Sequence, residues 1–267
     1  NLGIGIDPAV VPERMQTGRT IVGFIQDYYS ERYLDLKGDV VICRHTLEHI
    51  YDTHSFIHTI RRGIGDEDTF VFIEVPESLR VLRECAFWDI YYEHCSYFSP
   101  GSLARLFRHA DFEITDLWLD FDDQYLLLEA RPMKQTVGTE LFLEESVDQL
   151  LSEVDYFTRH IQEQLDVWNG RIDQYQRQNK KIAIWGSGSK CVAFITTLQV
   201  HDAIHTIVDI NPHRAGKFIP GVGKPISSPK ELQAVQPDVV IIMNPIYQHE
   251  IRRDLHEMGL APLVLSL

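Results

Sequence analysis

The densest run of side chains able to do chemistry is Trp88-Asp89-Ile90-Tyr91-Tyr92-Glu93-His94-Cys95-Ser96-Tyr97-Phe98-Ser99. An imidazole ordinarily titrates near pH 6.5, so His94 can accept a proton under neutral conditions, and Glu93 can orient it or stabilise its charged form. The same residues would also make a packed aromatic loop around a hydrogen-bonded histidine. Two further acids close apolar runs: Asp7 in Ile4-Gly5-Ile6-Asp7-Pro8, and Asp27 after Ile21 to Ile25. In a nucleotide-binding α/β sheet an acid at the carboxyl end of a strand accepts hydrogen bonds from ribose hydroxyls. A second acid on the neighbouring strand tip can accept from an adenine amino group. Either residue alone also reads as an ordinary turn aspartate.

A third apolar run, Asp39 to Cys43, leads into Arg44-His45-Thr46-Leu47-Glu48-His49. His45 and His49 are four apart and would share a face if the segment were helical, and His54 and His58 repeat the spacing. That geometry suits zinc, but no third ligand is specified and the HExxH order is absent, so no metal is expected. Polar residues just beyond a strand end read better as the lining of a cleft.

These residues need a sheet to present them. Short β-rich runs occur at Gly3 to Ile6, Ile21 to Ile25, Asp39 to Cys43, Thr69 to Val75, Phe112 to Leu119 and Tyr125 to Ala130. The first four are apolar and spaced for parallel strands with crossovers; the last two, separated by Asp120 to Gln124, read as an antiparallel hairpin. Ser99 followed by Pro100 predicts the cap and first turn of a helix. Apolar residues at Val147, Leu150, Val154, Phe157, Ile161, Leu165, Trp168, Ile172 and Tyr175 step by three and four, predicting a long amphipathic helix interrupted near Gly170. Its stripe would pack on the flanking domains or pair two copies of the chain into a homodimer.

From Lys181 onward the pattern is again βαβ, with strands at Lys181 to Trp185, Ile204 to Asp209, Val239 to Met243 and Leu263 to Leu265, a helix from Cys191 to Leu198, and a proline-rich crossover over residues 210–229. Gly186-x-Gly188-x-x-Cys191 with Asp209 at the next strand end imitates a dinucleotide fingerprint, but its third position is not glycine. Lys190, at the start of the helix, would favour a phosphate there.

Composition narrows the class. The 267 residues are 44% hydrophobic and 24% charged, as in ordinary globular chains, and suffice for two domains. The net charge of −14 repels phosphate backbones and anionic lipid, so nucleic acid and membrane surfaces are not expected partners. The longest apolar runs fall far short of the roughly 20 residues of a membrane span. The cysteines (Cys43, Cys85, Cys95, Cys191) show no CxxC spacing, which predicts a reducing, cytoplasmic setting.

Taken together, Ile4 to Pro8, Asp39 to Ile50, Phe72-Ile73-Glu74-Val75-Pro76, Tyr91 to Ser99 and the closing Glu129-Ala130-Arg131-Pro132 resemble class I S-adenosylmethionine-dependent methyltransferases. More narrowly they are similar to the C-methyltransferases of nucleotide-linked deoxysugars, whose C-terminal Rossmann-like domain is matched through Trp185 to Lys190, Val208 to Pro212, Gly216 to Gly221 and Lys230 to Val240. The resemblance implies an α/β chain in three parts. A methyltransferase-type, mostly parallel sheet with an antiparallel terminal hairpin occupies residues 1–132. A helical linker spans 133–180, and a second, smaller Rossmann-like domain spans 181–267.

It further implies S-adenosylmethionine as cofactor, with Asp7 as ribose acid, Asp27 on the adenine side, and Arg44 and His45 beside the methionine portion. His94 would be the base that removes a proton beside a keto group, with Glu93 and Tyr91 completing the catalytic set and Tyr91 donating to the developing enolate. His49, Tyr92 and Lys190 would contact a small substrate of nucleotide-sugar type, Lys190 at its diphosphate. The family's first strand and its glycine turn are missing ahead of Asn1, so residues upstream of the sequence are expected in the natural protein. The hairpin turn holds Asp122-Asp123 where the family commonly has glycine. Two other readings are open: a non-catalytic scaffold of the same fold, and a nucleotide-sugar oxidoreductase using the C-terminal domain.

Overall fold

The computed structural model describes residues 2–11, 21–133 and 140–267, so residues 134–139 of the expected linker lie outside the described residues. In chain order the elements are β1 (Gly3–Ile6), β2 (Ile21–Ile25), β3 (Val40–Arg44), α1 (Thr53–Ile64), β4 (Phe70–Pro76), α2 (Ser78–Arg83), α3 (Pro100–His109), β5 (Phe112–Asp120) and β6 (Tyr125–Pro132). Then follow α4 (Val147–Arg177), β7 (Ile182–Trp185), α5 (Ser189–Leu198), β8 (Ile204–Val208), β9 (Ile226–Ser227), α6 (Leu232–Val235), β10 (Val239–Ile242), α7 (Gln248–Glu257) and β11 (Leu263–Ser266). The described residues make an α/β chain with mostly parallel sheets, as the sequence implies.

They gather into two compact units. The first comprises residues up to 76 together with 95–119 and 125–144; the second comprises 77–94, 120–124 and 145–267. Compaction therefore groups the chemistry-bearing run up to His94 with the C-terminal half of the chain.

The first unit holds two sheets. β1 and β2 pair in parallel, and a four-stranded sheet runs in the order β3-β4-β6-β5, with β3 parallel and β6 antiparallel to β4. Among the described residues no ladder joins β1 to β3. Leu47, Ile57, Ile60, Val71, Ile73, Leu103, Phe107, Phe112, Leu126 and Leu128 form its core, so α1 and α3 bury their apolar stripes on the four-stranded sheet. Ser99 caps α3, accepting from Ser102 N–H, with Pro100 in the first turn, as read from the sequence. The β5–β6 turn places Phe121, Asp122 and Asp123 consecutively at φ of 56°, 57° and 54°. That left-handed run is the reason glycine suits this turn.

The second unit is a five-stranded parallel sheet in the order β11-β10-β7-β8-β9. One face packs Ile182, Ile184, Ile207 and Ile241 against Phe194 of α5 and Trp168 and Ile172 of α4; the other packs Ala183, Trp185, Val240 and Ile242 against Leu232, Ile251 and Leu255. This is the doubly wound arrangement expected of a Rossmann-like domain. Phe87 and Trp88 join the first face, with Phe87 stacked on Phe194 and Trp88 edge-on to Trp168. β9 lies inside the proline-rich crossover where no strand was expected.

The long helix departs from expectation in two ways. α4 runs 31 residues without interruption at Gly170, started by a capping box between Ser146 and Gln149. Its apolar stripe packs from Ile161 onward: Trp168 and Ile172 are buried and Ile161, Leu165 and Tyr175 pack beside them, whereas Val147 and Val154 at the start of the stripe are exposed.

Candidate active site

At the β1 and β2 tips the parallel ladder sets Asp7 beside the end of its neighbour, Asp7 N–H donating to Ile25 O at 3.0 Å. Asp7 Oδ1 accepts from Ala9 N–H at 2.7 Å, and no bond to its Oδ2 occurs among the described residues, so one oxygen stays available to a ribose diol. Asp27 accepts from Tyr28 N–H at 2.8 Å and from the Tyr33 hydroxyl at 2.7 Å, bonds that hold its carboxyl below the usual range, Tyr33 contributing most. Two acids on adjacent tips fit the acceptor demands of a nucleoside. They fit S-adenosylmethionine's adenosine half in that respect.

Beyond β3 the backbone turns sharply: His45 is left-handed, with φ of 47°, and Leu47–His49 form one 3₁₀ turn. His45 and His49 therefore do not share a helical face, which corrects the conditional geometry behind the zinc reading. His45 Nε2 instead lies 2.8 Å from Glu74 Oε1, its Nδ1 3.6 Å from Glu48, and its ring meets Tyr125 edge-on. Arg44 grips the same Glu74 with two bonds of 3.0 and 2.9 Å. Glu48 and then Glu74 push the His45 pKa up against the opposing effect of burial, although the Glu74 contact is the shorter. Glu74 itself is buried in β4. Sequence reasoning missed it; the cue was an acid interrupting the apolar run Phe72 to Val75. His49 contributes its carbonyl to the Cys95 thiol at 3.7 Å, and Glu48 O accepts from Cys95 and Ser96 N–H at 2.8 and 3.1 Å.

In the second unit Tyr91 and Lys190 converge on Asp89, an acid of the same run, while His94 meets Tyr91. The Tyr91 hydroxyl donates to Asp89 Oδ1 at 2.7 Å, Lys190 Nζ to Oδ2 at 3.1 Å and Arg80 to Oδ2 at 2.5 Å. The Tyr91 and His94 rings are 4.7 Å apart and nearly perpendicular, and His94 N–H donates to Tyr91 O. Burial alone would raise the Asp89 pKa, but Lys190 and Arg80 outweigh it and hold the carboxylate ionised. Burial lowers the Lys190 pKa, with Asp89 opposing. Lys190 also donates to Gln124 at 2.8 Å, and lines with Arg80, Glu84, Trp88 and Asp122 a cleft of about 230 Å³. Its charge is thus already met by protein groups. Tyr92 and Glu93 are exposed.

Asp209, the acid of the dinucleotide-like pattern, is spent within the protein: Oδ2 accepts from Ser187 N–H at 2.8 Å, from the Ser187 hydroxyl at 2.5 Å and from Arg214 at 3.1 Å. Oδ1 accepts from Asn211 N–H at 2.8 Å, so both oxygens that a dinucleotide ribose could use are already engaged. No described helix is long and apolar enough to cross a membrane.

Residues 3–117 match the family described as "Methyltransferase domain" and residues 129–261 the family described as "C-methyltransferase C-terminal domain". The curated C-methyltransferase NovU of Streptomyces niveus is 26% identical over 273 aligned positions, covering 93% of this chain and 62% of that protein, so the chain spans less than two thirds of its relative's length. Among solved structures, magnesium protoporphyrin IX methyltransferase of Synechocystis PCC 6803 with bound SAH is 16% identical, covering 45% of this chain and 54% of that one at a TM-score of 0.33. The DhpI–SAH complex is 15% identical, covering 44% and 57% at 0.30.

Proposed function

We propose that this chain, which carries a methyltransferase domain followed by the C-terminal domain of C-methyltransferases, transfers a methyl group from S-adenosylmethionine to a carbon of a small polar acceptor, a nucleotide-linked keto-sugar. The carrying observation is the succession of those two domains along one chain, in the order implied by the motifs. The functional division follows the sequence, with the donor domain in 1–132, the linker in 133–180 and the second domain in 181–267.

When bound, S-adenosylmethionine supplies a methyl group made electrophilic by its sulfonium. The protein's part is to hold donor and acceptor in line, keep water out and move one proton. Asp7 and Asp27 hold the ribose and adenine ends, and Arg44 and His45 border the methionine end. His94 takes the proton beside the acceptor's carbonyl, and Glu93 stabilises the resulting imidazolium. Tyr91, whose hydroxyl is directed at Asp89, orients against the His94 ring and donates to the enolate oxygen once its hydroxyl turns. His49 and Tyr92 contact the acceptor. Four free cysteines agree with a cytoplasmic setting, and the exposed Val147, Leu151 and Val154 with a homodimer through α4.

Calorimetric titration of the whole protein with S-adenosylmethionine and its demethylated product tests cofactor binding. Saturable binding that Asp7→Ala weakens at least about tenfold is the expected result; no heat with either ligand sinks the reading. His94→Ala should abolish turnover of a nucleoside-diphosphate-linked keto-hexose. Normal turnover would remove His94 as the base.

A further inference from the structure

We infer that Asp89 is a positioning residue for the Tyr91–His94 loop, and that Arg80 and Lys190 act through it, so the start of α5 holds that loop instead of a substrate phosphate. The inference rests on the reading above, in which this loop performs the chemistry.

Three observations carry it. First, Asp89 takes the Tyr91 hydroxyl on Oδ1 at 2.7 Å and Arg80 on Oδ2 at 2.5 Å, with Lys190 Nζ 3.1 Å from each oxygen, so its geometry is over-determined. Its backbone is fixed as well: Asp89 N–H donates to Ala86 O within the 3₁₀ turn Phe87–Asp89. Secondly, the cations are themselves anchored. Arg80 leaves α2 and also donates to Glu84 at 2.7 Å, while Lys190 is fixed by Gln124. All three side chains are at least four-fifths shielded from solvent, where charge-assisted bonds are strong and an unpaired partner is costly. Thirdly, the turn is bolted down apolarly through Phe87 on Phe194 and Trp88 on Trp168. Two residues beyond this anchor stands Tyr91, and its ring and carbonyl both meet His94. A ring held at one end by a hydroxyl bond, and set nearly perpendicular against the base, limits the rotations open to the imidazole. A phosphate on Lys190 would have to displace Asp89, leaving a buried carboxylate with one cation fewer.

The test is a double-mutant cycle on the whole protein, with a nucleoside-diphosphate-linked keto-hexose as acceptor. Asp89→Asn is expected to lower kcat about tenfold or more with KM changed less than about twofold, and to lower it less than about twofold further when Tyr91 is already Phe. Equal effects in both backgrounds overturn the inference. If Tyr91→Phe alone leaves kcat unchanged, the functional reading of the loop fails, and the inference falls with it by a separate signature. Hydrogen exchange supplies a readout independent of turnover. In Asp89→Asn the His94 amide should exchange faster while β7, β8 and β10 keep their protection; protection lost evenly across the unit, or His94 unchanged, overturns the inference. Lys190→Met should reproduce the His94 effect, and binding of thymidine diphosphate to Lys190→Met at wild-type affinity is the expected companion result. Loss of that binding with His94 exchange unmoved assigns Lys190 to phosphate instead.

Discussion

His45 Nε2 stands 2.8 Å from Oε1 of Glu74, a carboxylate buried in the middle of β4 that also takes both bonds of the Arg44 guanidinium. One acid thus fixes the two residues that leave the β3 tip.

The pairing makes His45 a titration reporter. Glu48 and Glu74 raise its pKa above the usual 6.5, so protonated His45 stabilises the folded chain. That contribution is full below about pH 6.5 and is lost as the pH rises through the higher folded value. The ring is 40% exposed, so the effect on stability is small. An NMR titration should place the His45 midpoint above 6.5, and Glu74→Gln should lower it. A midpoint at or below 6.5 in the wild type would contradict the pairing.

Gly170 sits inside α4, where an added Cβ meets nothing within 4 Å. Gly170→Ala should stabilise the protein by about 0.5–1 kcal/mol, seen as a higher denaturant midpoint with an unchanged slope. Destabilisation would mean that the helix bends there.

Arg108 and Glu144 form a two-bonded pair that joins α3 to the chain after β6. Burial raises the Glu144 pKa, but the Arg108 bonds and Leu141 N–H bring it below 4.5. Its stabilising share is therefore present above pH 4.5 and lost as the pH falls through the depressed folded value. Glu144→Ala should cost about 1.5–3 kcal/mol at pH 7 and much less near pH 3.

The saturated Asp209 gives a direct check on redox-cofactor binding. NADH fluorescence should stay unchanged as the whole protein is added, and Asp209→Ala should lower the Tm without creating NADH binding. A saturating enhancement with the wild type would reopen the oxidoreductase reading.

Burial drives the Cys43 and Cys191 thiols up to about 12, which leaves about one thiolate in ten thousand at pH 8. Cys85 is also buried, whereas Cys95 is exposed. Iodoacetamide at pH 8 should label Cys95 first by mass spectrometry; early labelling of Cys43 would show that its core opens readily.

What the sequence made legible was local or periodic. The Ser99 cap, the strands that end in Asp7 and Asp27, and the three-and-four stripe of α4 each depend on neighbours within a turn or a pleat. What escaped it depends on partners far along the chain. Glu74 and Asp89 could be recognised as hubs only once residues 30 and 101 positions away were seen to meet them. The i, i+4 spacing of His45 and His49 misled because spacing carries geometry only if the backbone is helical, and His45 is left-handed, whereas His54 and His58, inside α1, do meet at 3.1 Å. The spacing of Asp209 after Gly188 suggested an open nucleotide acid, but Ser187 and Arg214 had already filled it. β9, two residues long among prolines, has too few side chains to show a period.

Two ladders in the first unit end in open backbone. β1 pairs only with β2 and β3 only with β4 among the described residues, and Ile4, Val40 and Ile42 on those strands are exposed. Unpaired N–H and C=O groups beside apolar side chains are a template for strands from other molecules. Concentrating this chain should therefore drive β-rich self-association at those edges, and Ile42→Lys should raise the concentration it tolerates before precipitating.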